Sequence, residues 1–463
     1  MSGLHDVFGA TEMTPRRRMT TVQVFVASFA GLIALGTAGF LLLPGLYTGP
    51  PLGIVDALFT ATSAVCVTGL IVVDTATYFT PLGQAWILFL IQAGGLGILT
   101  LTTLVLLSFG RRSLSMEGAQ TGGAPPTVHF LDEKRLIQVV VASTFALEFV
   151  GAVLLWGQWR AHFGALGAVW PSIFHSVSAF CNAGFSTFSD SLVPFRDAPW
   201  TLAVVAGLII LGGMGFMVLA DLSRRVRSNR HQLSLHSRLV LTTTGMLLFA
   251  GTLLYLAFEW SNDLNGLSAV DRVFNAFFMS VTPRTAGFNT VDYAVATNAT
   301  VFLTILLMVI GGSPGSTAGG LKTTTFTLLF LIFIARLRGD REVHAFHRTI
   351  PRETLQRAVG LVAGGLAFIA LAVFVLMVTE SRPGDIADRA HFLQLVFEAH
   401  SAFGTVGLSM GITPDLTPAG RMVMVVLMFA GRVGPLALVA AMAHAGQRRH
   451  MAFRYGQEDV SVG

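Results

Sequence analysis

Four short segments share one pattern: phenylalanine, nine residues, then a glycine followed by leucine or phenylalanine. They are rich in serine, threonine and alanine. The glycine permits backbone conformations closed to other residues and close approach of a second chain. Backbone carbonyl oxygens presented by such segments can replace the water shell of a monovalent cation. The segments are 59–69, 174–184, 277–287 and 397–407.

A second cluster of small residues follows each of these glycines. In a chain with 49 glycines, one such pair is expected by chance or as a notch for helix packing. Four pairs at similar offsets indicate an internal repeat. The second clusters begin at Gly94, Gly212, Gly311 and Gly431.

The composition indicates a membrane protein. The chain has 463 residues, of which 53% are hydrophobic and 12% charged, whereas soluble domains carry about 25% charged residues. A spanning helix needs about 20 apolar residues. Eight stretches fit, the sixth being longer than one span and interrupted by glycine and proline: 20–45, 82–108, 136–158, 200–222, 237–258, 300–334, 356–379 and 420–444.

The charges predict the orientation. Arginines and lysines cluster before the first stretch and after every second one, which by the positive-inside rule places these groups and both termini in the cytoplasm. The net charge of +5 therefore reflects membrane orientation and gives no reason to expect nucleic acid as a partner. Two cysteines are too few for a disulfide framework.

These observations predict an all-α polytopic membrane protein. Four repeated helix–pore loop–helix units are expected to surround a pseudo-fourfold central pore. Irregular backbone at membrane depth is tolerated where protein buries it or where it lines a cavity, so the four segments can meet on one axis. The predicted parts are a cytoplasmic N-terminus (1–18), pore units 19–112, 134–230, 236–340 and 354–446, and a cytoplasmic C-terminal tail (447–463).

At these segments the sequence resembles the Ktr/Trk/HKT superfamily of potassium transporters, and more closely its KtrB branch. The resemblance covers nearly the whole chain, and the fourth unit is the loosest match. Its most specific parts are CVTGL at 66–70, CNAGFSTF at 181–188, TAGFNTVD at 285–292, GGSPGSTAGGLKTTT at 311–325 and GRVGPLAL at 431–438.

The resemblance implies a potassium uptake subunit in the plasma membrane, with no bound cofactor and with any requirement for sodium left open. It also implies a homodimer within membrane lipid and a cytosolic ring of nucleotide-binding regulatory (RCK) subunits. Glycine at all four filter positions implies potassium selectivity. The predicted ion-binding residues are Val67, Thr68, Gly69, Asn182, Ala183, Gly184, Thr285, Ala286, Gly287, Thr405, Val406 and Gly407, with potassium at the four glycines.

The segment 311–325 is the predicted gate. Its glycines, proline and hydroxyls cannot stay helical at mid-membrane depth. It is either a kinked helix whose free backbone groups bond to neighbouring helices or, as the resemblance implies, a flexible loop that closes the pore below the filter. The expected gating residues are Gly311, Gly312, Ser313, Pro314, Gly315, Ser316, Thr317, Gly319, Gly320, Lys322 and Arg432.

Two intramembrane charges need an explanation, because such residues are costly and usually functional. Arg432 could hold the loop across the pore, repel cations as a barrier, or pair with a carboxylate such as Glu148. Glu148 itself could merely satisfy polar groups between helices.

Two enzyme motifs occur within the same segment. Residues 311–315 match G-x-S-x-G, so an intramembrane serine protease acting through Ser313 is an alternative. A P-loop is broken because Leu321 separates Gly320 from Lys322. A membrane receptor or structural protein without transport is the remaining alternative.

Overall fold

The protein is described from a computed structural model, in which residues 21–97, 133–228, 232–381 and 389–434 are described. The predictions for the two termini, for 98–112 and for the end of the last span lie outside these residues. The described chain is almost entirely helical, apart from one small hairpin of β1 (His344–Ala345) and β2 (Arg348–Thr349).

The main helices follow one another in a repeating order of a long helix, a short helix and a third helix, which is interrupted in the second and third repeats. They are α1 (Thr21–Leu42), α2 (Ile54–Val65), α3 (81–97), α4 (Glu133–Gly167), α5 (Val169–Cys181), α6 (Pro199–Met214), α7 (Phe216–Arg227), α8 (Leu235–Glu259), α9 (Ala269–Val281), α10 (Asn298–Val309), α11 (Thr323–Leu337), α12 (Arg352–Thr379), α13 (Arg389–Gly404) and α14 (Pro418–Val433). Single turns lie at Thr75–Tyr78, Val193–Phe195 and Thr413–Asp415.

The first helix of each repeat is a continuous span. Among the described residues, α1, α4, α8 and α12 contain the four unbroken helices long and apolar enough to cross a membrane. The second helix of the third repeat is split into α10 and α11, as its glycines and proline predict. The predicted all-α polytopic fold is confirmed.

The stretch 200–222, expected as a spanning helix, is bent in the structure. Helices α6 and α7 meet at an angle of 104°, and the break lies at Gly215, whose φ is +85°. The Phe216 amide donates to the Gly315 carbonyl oxygen at 3.0 Å. The bend therefore forms where a segment from another repeat docks.

The short helices α2, α5, α9 and α13 contain 12 to 16 residues, or about 18–24 Å at 1.5 Å per residue. They are too short to cross a hydrocarbon core of about 30 Å. Their last turns are buried in the centre of the protein. They are the half-span pore helices that the repeat predicts.

The second glycine cluster has a packing function in the first, second and fourth repeats. A Cβ on any of three helical glycines would overlap the carbonyl oxygen at the end of a pore helix. Only glycine lets the two backbones approach so closely. The three contacts join Gly94 to Val65, Gly212 to Phe180 and Gly431 to Phe403.

Candidate ion pathway

The four filter segments share an unusual backbone. Each glycine has a positive φ, and so does the residue two positions before it, while the residue between does not. This alternation turns successive carbonyls toward the same side of the chain, unlike a β-strand. The φ angles are +55°, +59°, +79° and +49° at Val67, Asn182, Thr285 and Thr405, and +92°, +71°, +82° and +93° at Gly69, Gly184, Gly287 and Gly407.

The four segments form a closed ring, here called the filter ring. A Cβ on Gly184 would lie 2.8 Å from the Ala286 carbonyl oxygen and 3.0 Å from the Cα of Gly287. Each of the other three glycines lies in the same way against a carbonyl oxygen of the next segment, and the fourth segment contacts the first. The remaining contacts join Gly69 to the carbonyl of Ala183, Gly287 to that of Val406 and Gly407 to that of Thr68.

Hydroxyl groups of the pore helices fix the filter backbone. Ser63 donates to the Leu70 carbonyl at 2.7 Å and accepts from the Gly69 amide at 3.1 Å. Ser178 donates to the Phe185 carbonyl at 2.8 Å. The equivalent hydroxyls are Thr282, bonded to the Phe288 carbonyl, and Ser401, bonded to the Gly407 amide. Sequence reasoning missed these four residues, although the aligned segments place Ser63, Ser178 and Ser401 at one position.

The electrostatics of the filter ring favour cations. All four pore helices end within six residues of a filter glycine, and a helix C-terminus carries about half a negative charge. Above the ring, a cavity of about 510 Å³ opens among the loops that follow the four glycines. Carboxylates from three repeats line it: Asp74, Asp190 and Asp292.

The break between α10 and α11 forms a loop with a closed base. Ile310 and Leu321 form a parallel bridge, and the Gly311 amide donates to the Leu321 carbonyl at 2.7 Å. The Thr323 hydroxyl donates to the Gly311 carbonyl at 2.8 Å, and the Thr323 amide to that of Gly312 at 3.0 Å. Both ends of the loop are therefore held together while its centre extends away.

The loop crosses to two other repeats. The Ser313 amide donates to the Gly213 carbonyl at 3.0 Å. The Thr317 hydroxyl donates to the carbonyl of Phe180 at 3.1 Å, at the end of the second pore helix. A Cβ on Gly319 would overlap the Thr405 side chain beneath the fourth filter segment. The loop thus lies directly against the inner end of the filter ring.

Arg432, from the fourth repeat, joins the loop to the first repeat. Its side chain is 2% exposed. One guanidinium nitrogen donates to the Thr317 carbonyl, and another donates to the Gly94 carbonyl at 3.2 Å. Of the explanations open from the sequence, this geometry favours a residue that holds the loop in place.

Glu148 is not the direct partner of Arg432 in the described structure. It accepts from the Gln92 amide nitrogen at 3.3 Å, and the Cys181 thiol lies 3.8 Å away. Gln92 is two residues before Gly94, so the carboxylate and the guanidinium contact the same stretch of α3.

The remaining residues of the loop stabilise it locally. The Lys322 ammonium group donates to the Ala318 carbonyl at 2.7 Å, and Ser316 donates to that of Ser313 at 2.6 Å. The Ser313 hydroxyl has no hydrogen-bond partner among the described residues. No described histidine or carboxylate is therefore bonded to Ser313, as a serine nucleophile would require.

A second buried arginine was missed in the sequence. Arg284, three residues before Gly287, is 8% exposed and donates to the hydroxyls of Thr244 at 3.4 Å and Thr323 at 3.3 Å. Its Nε has no partner among the described residues. Arg284 thus links the third pore loop to the base of the 311–322 loop. In the sequence its only sign is a charge inside an otherwise neutral filter segment.

Four re-entrant segments closing one ring define a membrane protein of the four-pore-loop cation-transport class. Comparison with known proteins gives the family. The model of the TrkH family, described as cation transport protein, matches residues 7–449. The chain belongs to this family, and the predicted membership in the Ktr/Trk/HKT superfamily is confirmed.

Individual relatives match over almost the full length. Ktr system potassium uptake protein B of Bacillus subtilis is 40% identical over 96% of this chain and 97% of its own. Potassium/sodium uptake protein NtpJ of Enterococcus hirae is 38% identical over 97% and 98%. The crystal structure of the potassium transporter TrkH from Vibrio parahaemolyticus superimposes with a TM-score of 0.75 at 20% identity, covering 94% of this chain and 87% of that one.

We expect Gly69→Ser to reduce the preference for potassium over sodium. The new Cβ would overlap the Ala183 carbonyl at a residue with φ of +92°, so the filter ring must widen or distort. A loss of about 1.4 kcal/mol in discrimination corresponds to a tenfold lower ratio of the two fluxes. Ion flux into liposomes measures this ratio. Gly53→Ser is the control, because no atom lies within 4 Å of its Cβ position; unchanged selectivity in Gly69→Ser would exclude Gly69 from the filter.

We expect Arg284→Gln to loosen the base of the 311–322 loop and so raise ion flux through the resting protein. A hydrogen bond to a charged group contributes roughly 1.5 kcal/mol, which corresponds to about a tenfold increase. Thr244→Val should have a smaller effect in the same direction. Thr242→Val is the matched control, because the Thr242 hydroxyl bonds only to carbonyls of its own helix, α8. Equal flux in the Thr244 and Thr242 variants would show that the Arg284–Thr244 contact does not restrain the loop.

Proposed function

We propose that the chain is the potassium-conducting membrane subunit of a Ktr-type uptake system. The observation that carries this proposal is the closed ring of four glycine segments, with carbonyl oxygens at every contact. The names of the relatives from Bacillus subtilis and Enterococcus hirae, both uptake proteins, support potassium as the ion. They also favour transport over catalysis.

The proposed pathway runs from the cavity lined by Asp74, Asp190 and Asp292 through the filter ring to the 311–325 loop. The carboxylates collect cations, the filter ring replaces their hydration shell, and the loop closes the inner side. A membrane potential of 100 mV supplies about 2.3 kcal/mol per inward monovalent cation. That driving force needs no hydrolysis of ATP by this chain.

We further propose the assembly and its location. The protein would form a homodimer in the plasma membrane, with both termini in the cytoplasm and a nucleotide-binding RCK ring beneath. The name of the Bacillus subtilis relative describes a component of a system, which supports a partner. The four predicted pore units and the ligand roles of the filter residues belong to the same proposal.

Flux into liposomes tests the function. The purified chain, intact and with its loop shortened, is reconstituted with potassium or sodium outside, and with sodium present or absent during potassium uptake. We expect potassium flux well above that of protein-free liposomes. The Enterococcus hirae relative is named for both ions, so the sodium arm decides whether sodium is required or carried. A receptor or structural protein would give no flux from either form.

We expect the shortened loop to conduct without the regulatory ring. Replacing residues 313–318 by two glycines removes the contacts to Gly213, Phe180 and Arg432 while keeping the paired base at Gly311 and Leu321. Arg432→Ala should have the same effect more weakly, because the other loop contacts remain. Resting flux is compared among folded, monodisperse samples. A shortened protein that conducts no faster than the intact chain would exclude this loop as the gate.

A further inference from the structure

A second cavity lies far from the filter ring, where α11 ends and α12 begins. It has a volume of about 830 Å³, within the range of small-molecule sites. The last turns of α11, the β1–β2 hairpin and the first turns of α12 form its walls. Because α11 and α12 are membrane helices, the ends that enclose this cavity lie at headgroup depth.

The cavity is basic. Arg336 near the end of α11, Arg341 in the connection to β1 and Arg352 at the start of α12 line it, and one carboxylate, Glu342, also faces it. Glu342 lies 4.0 Å from His344. In the described part of the chain, the three arginines have no ion pair or side-chain hydrogen bond. The guanidinium groups are therefore available to an anion.

The opposite wall is apolar and continues toward the membrane interior. Ile332, Leu355 and Val359 line the cavity, and Val359 is 46% exposed. On an adjacent face, α11 exposes apolar side chains at helical spacing along its length, as a lipid-facing surface does. These side chains are Phe326, Phe330, Phe333 and Leu337.

A ligand that fits both walls has an anionic head and apolar tails. We propose that this cavity binds the headgroup phosphate of an anionic glycerophospholipid, with the acyl chains lying along α11 and α12. A guanidinium group can bind a phosphate through two parallel hydrogen bonds, and basic pockets between spanning helices suit anionic headgroups. The site does not depend on which ion the protein conducts.

Native mass spectrometry of the purified full-length chain tests the proposal. Phosphatidylglycerol and phosphatidylcholine are titrated separately, and inorganic phosphate is added as a competitor. The cavity variant is Arg336→Gln, Arg341→Gln and Arg352→Gln combined. The matched control, Arg338→Gln, Arg348→Gln and Arg357→Gln combined, removes equal charge from the same segment outside the cavity. All six side chains are exposed, so both variants are expected to fold.

We expect phosphatidylglycerol to bind the intact chain more tightly than phosphatidylcholine does. The cavity variant should weaken this binding at least tenfold, since one lost hydrogen bond to a charged group corresponds to about a tenfold loss. The control variant should lose less than threefold. Equal losses in both variants would overturn the proposal in favour of diffuse surface charge.

Two further outcomes would also overturn it. Displacement of the lipid by millimolar inorganic phosphate would identify a site for free anions. Unchanged lipid binding in the cavity variant, with loss of a co-purifying acidic protein partner, would identify a protein interface. Potassium flux of the same variants separates this test from that of the proposed function: loss of lipid binding with retained flux leaves the transport proposal intact.

Discussion

The structure depends on backbone polar groups finding partners within the protein at membrane depth, where no water is available to exposed amides and carbonyls. Four filter segments and one loop are not helical there. In the filter ring and in the loop, a glycine lies against a carbonyl oxygen of another repeat, whereas at the ends of three pore helices the carbonyl belongs to the same repeat. A side chain at these positions would separate two backbones. The glycines are therefore required by contact as much as by conformational freedom.

The fourfold periodicity was enough to predict the filter ring and the half-span helices. Each of four equivalent segments in a ring needs the same glycine against the neighbouring backbone, so the pattern around Gly69 recurs at Gly184, Gly287 and Gly407. The hydroxyls that bond to the filter backbone were harder to predict from the sequence, because Thr282 is displaced by one position in its segment from Ser63 and Ser178 in theirs. The displacement follows from a tighter turn, in which the Ala286 amide bonds to a carbonyl four residues earlier instead of five.

The bend at Gly215 could not be predicted from its own repeat. Residues 200–222 are almost all apolar, and hydropathy measures only composition. The helix breaks there because the Gly315 carbonyl, distant in sequence, accepts the Phe216 amide. Arg284 was missed for a similar reason, since its partners Thr244 and Thr323 lie on two other helices. A feature confined to one repeat, such as Arg284, leaves no fourfold trace in the sequence.

Charge changes sign along the proposed pathway. Carboxylates and helix C-termini attract cations as far as the filter ring, whereas Arg432 lies beneath it at the loop. A guanidinium 4 Å from a monovalent cation opposes it by about 4 kcal/mol at an effective dielectric constant of 20, and a potential of 100 mV supplies about 2.3 kcal/mol. In the proposed mechanism, voltage alone would therefore not carry an ion past Arg432 at that distance, and conduction would require the loop and the guanidinium to move.

That movement is local, because the base of the loop can remain paired while its centre leaves Gly213, Phe180 and Arg432. The hydrogen bonds lost are each worth about 1 kcal/mol, and those to a charged group roughly 1.5–3 kcal/mol, so these contacts favour the loop position seen in the structure. Reversing a 99:1 preference requires about 5.5 kcal/mol of differential binding. A regulatory partner that binds the open form about 10⁴-fold more tightly supplies this amount without contacting the filter ring.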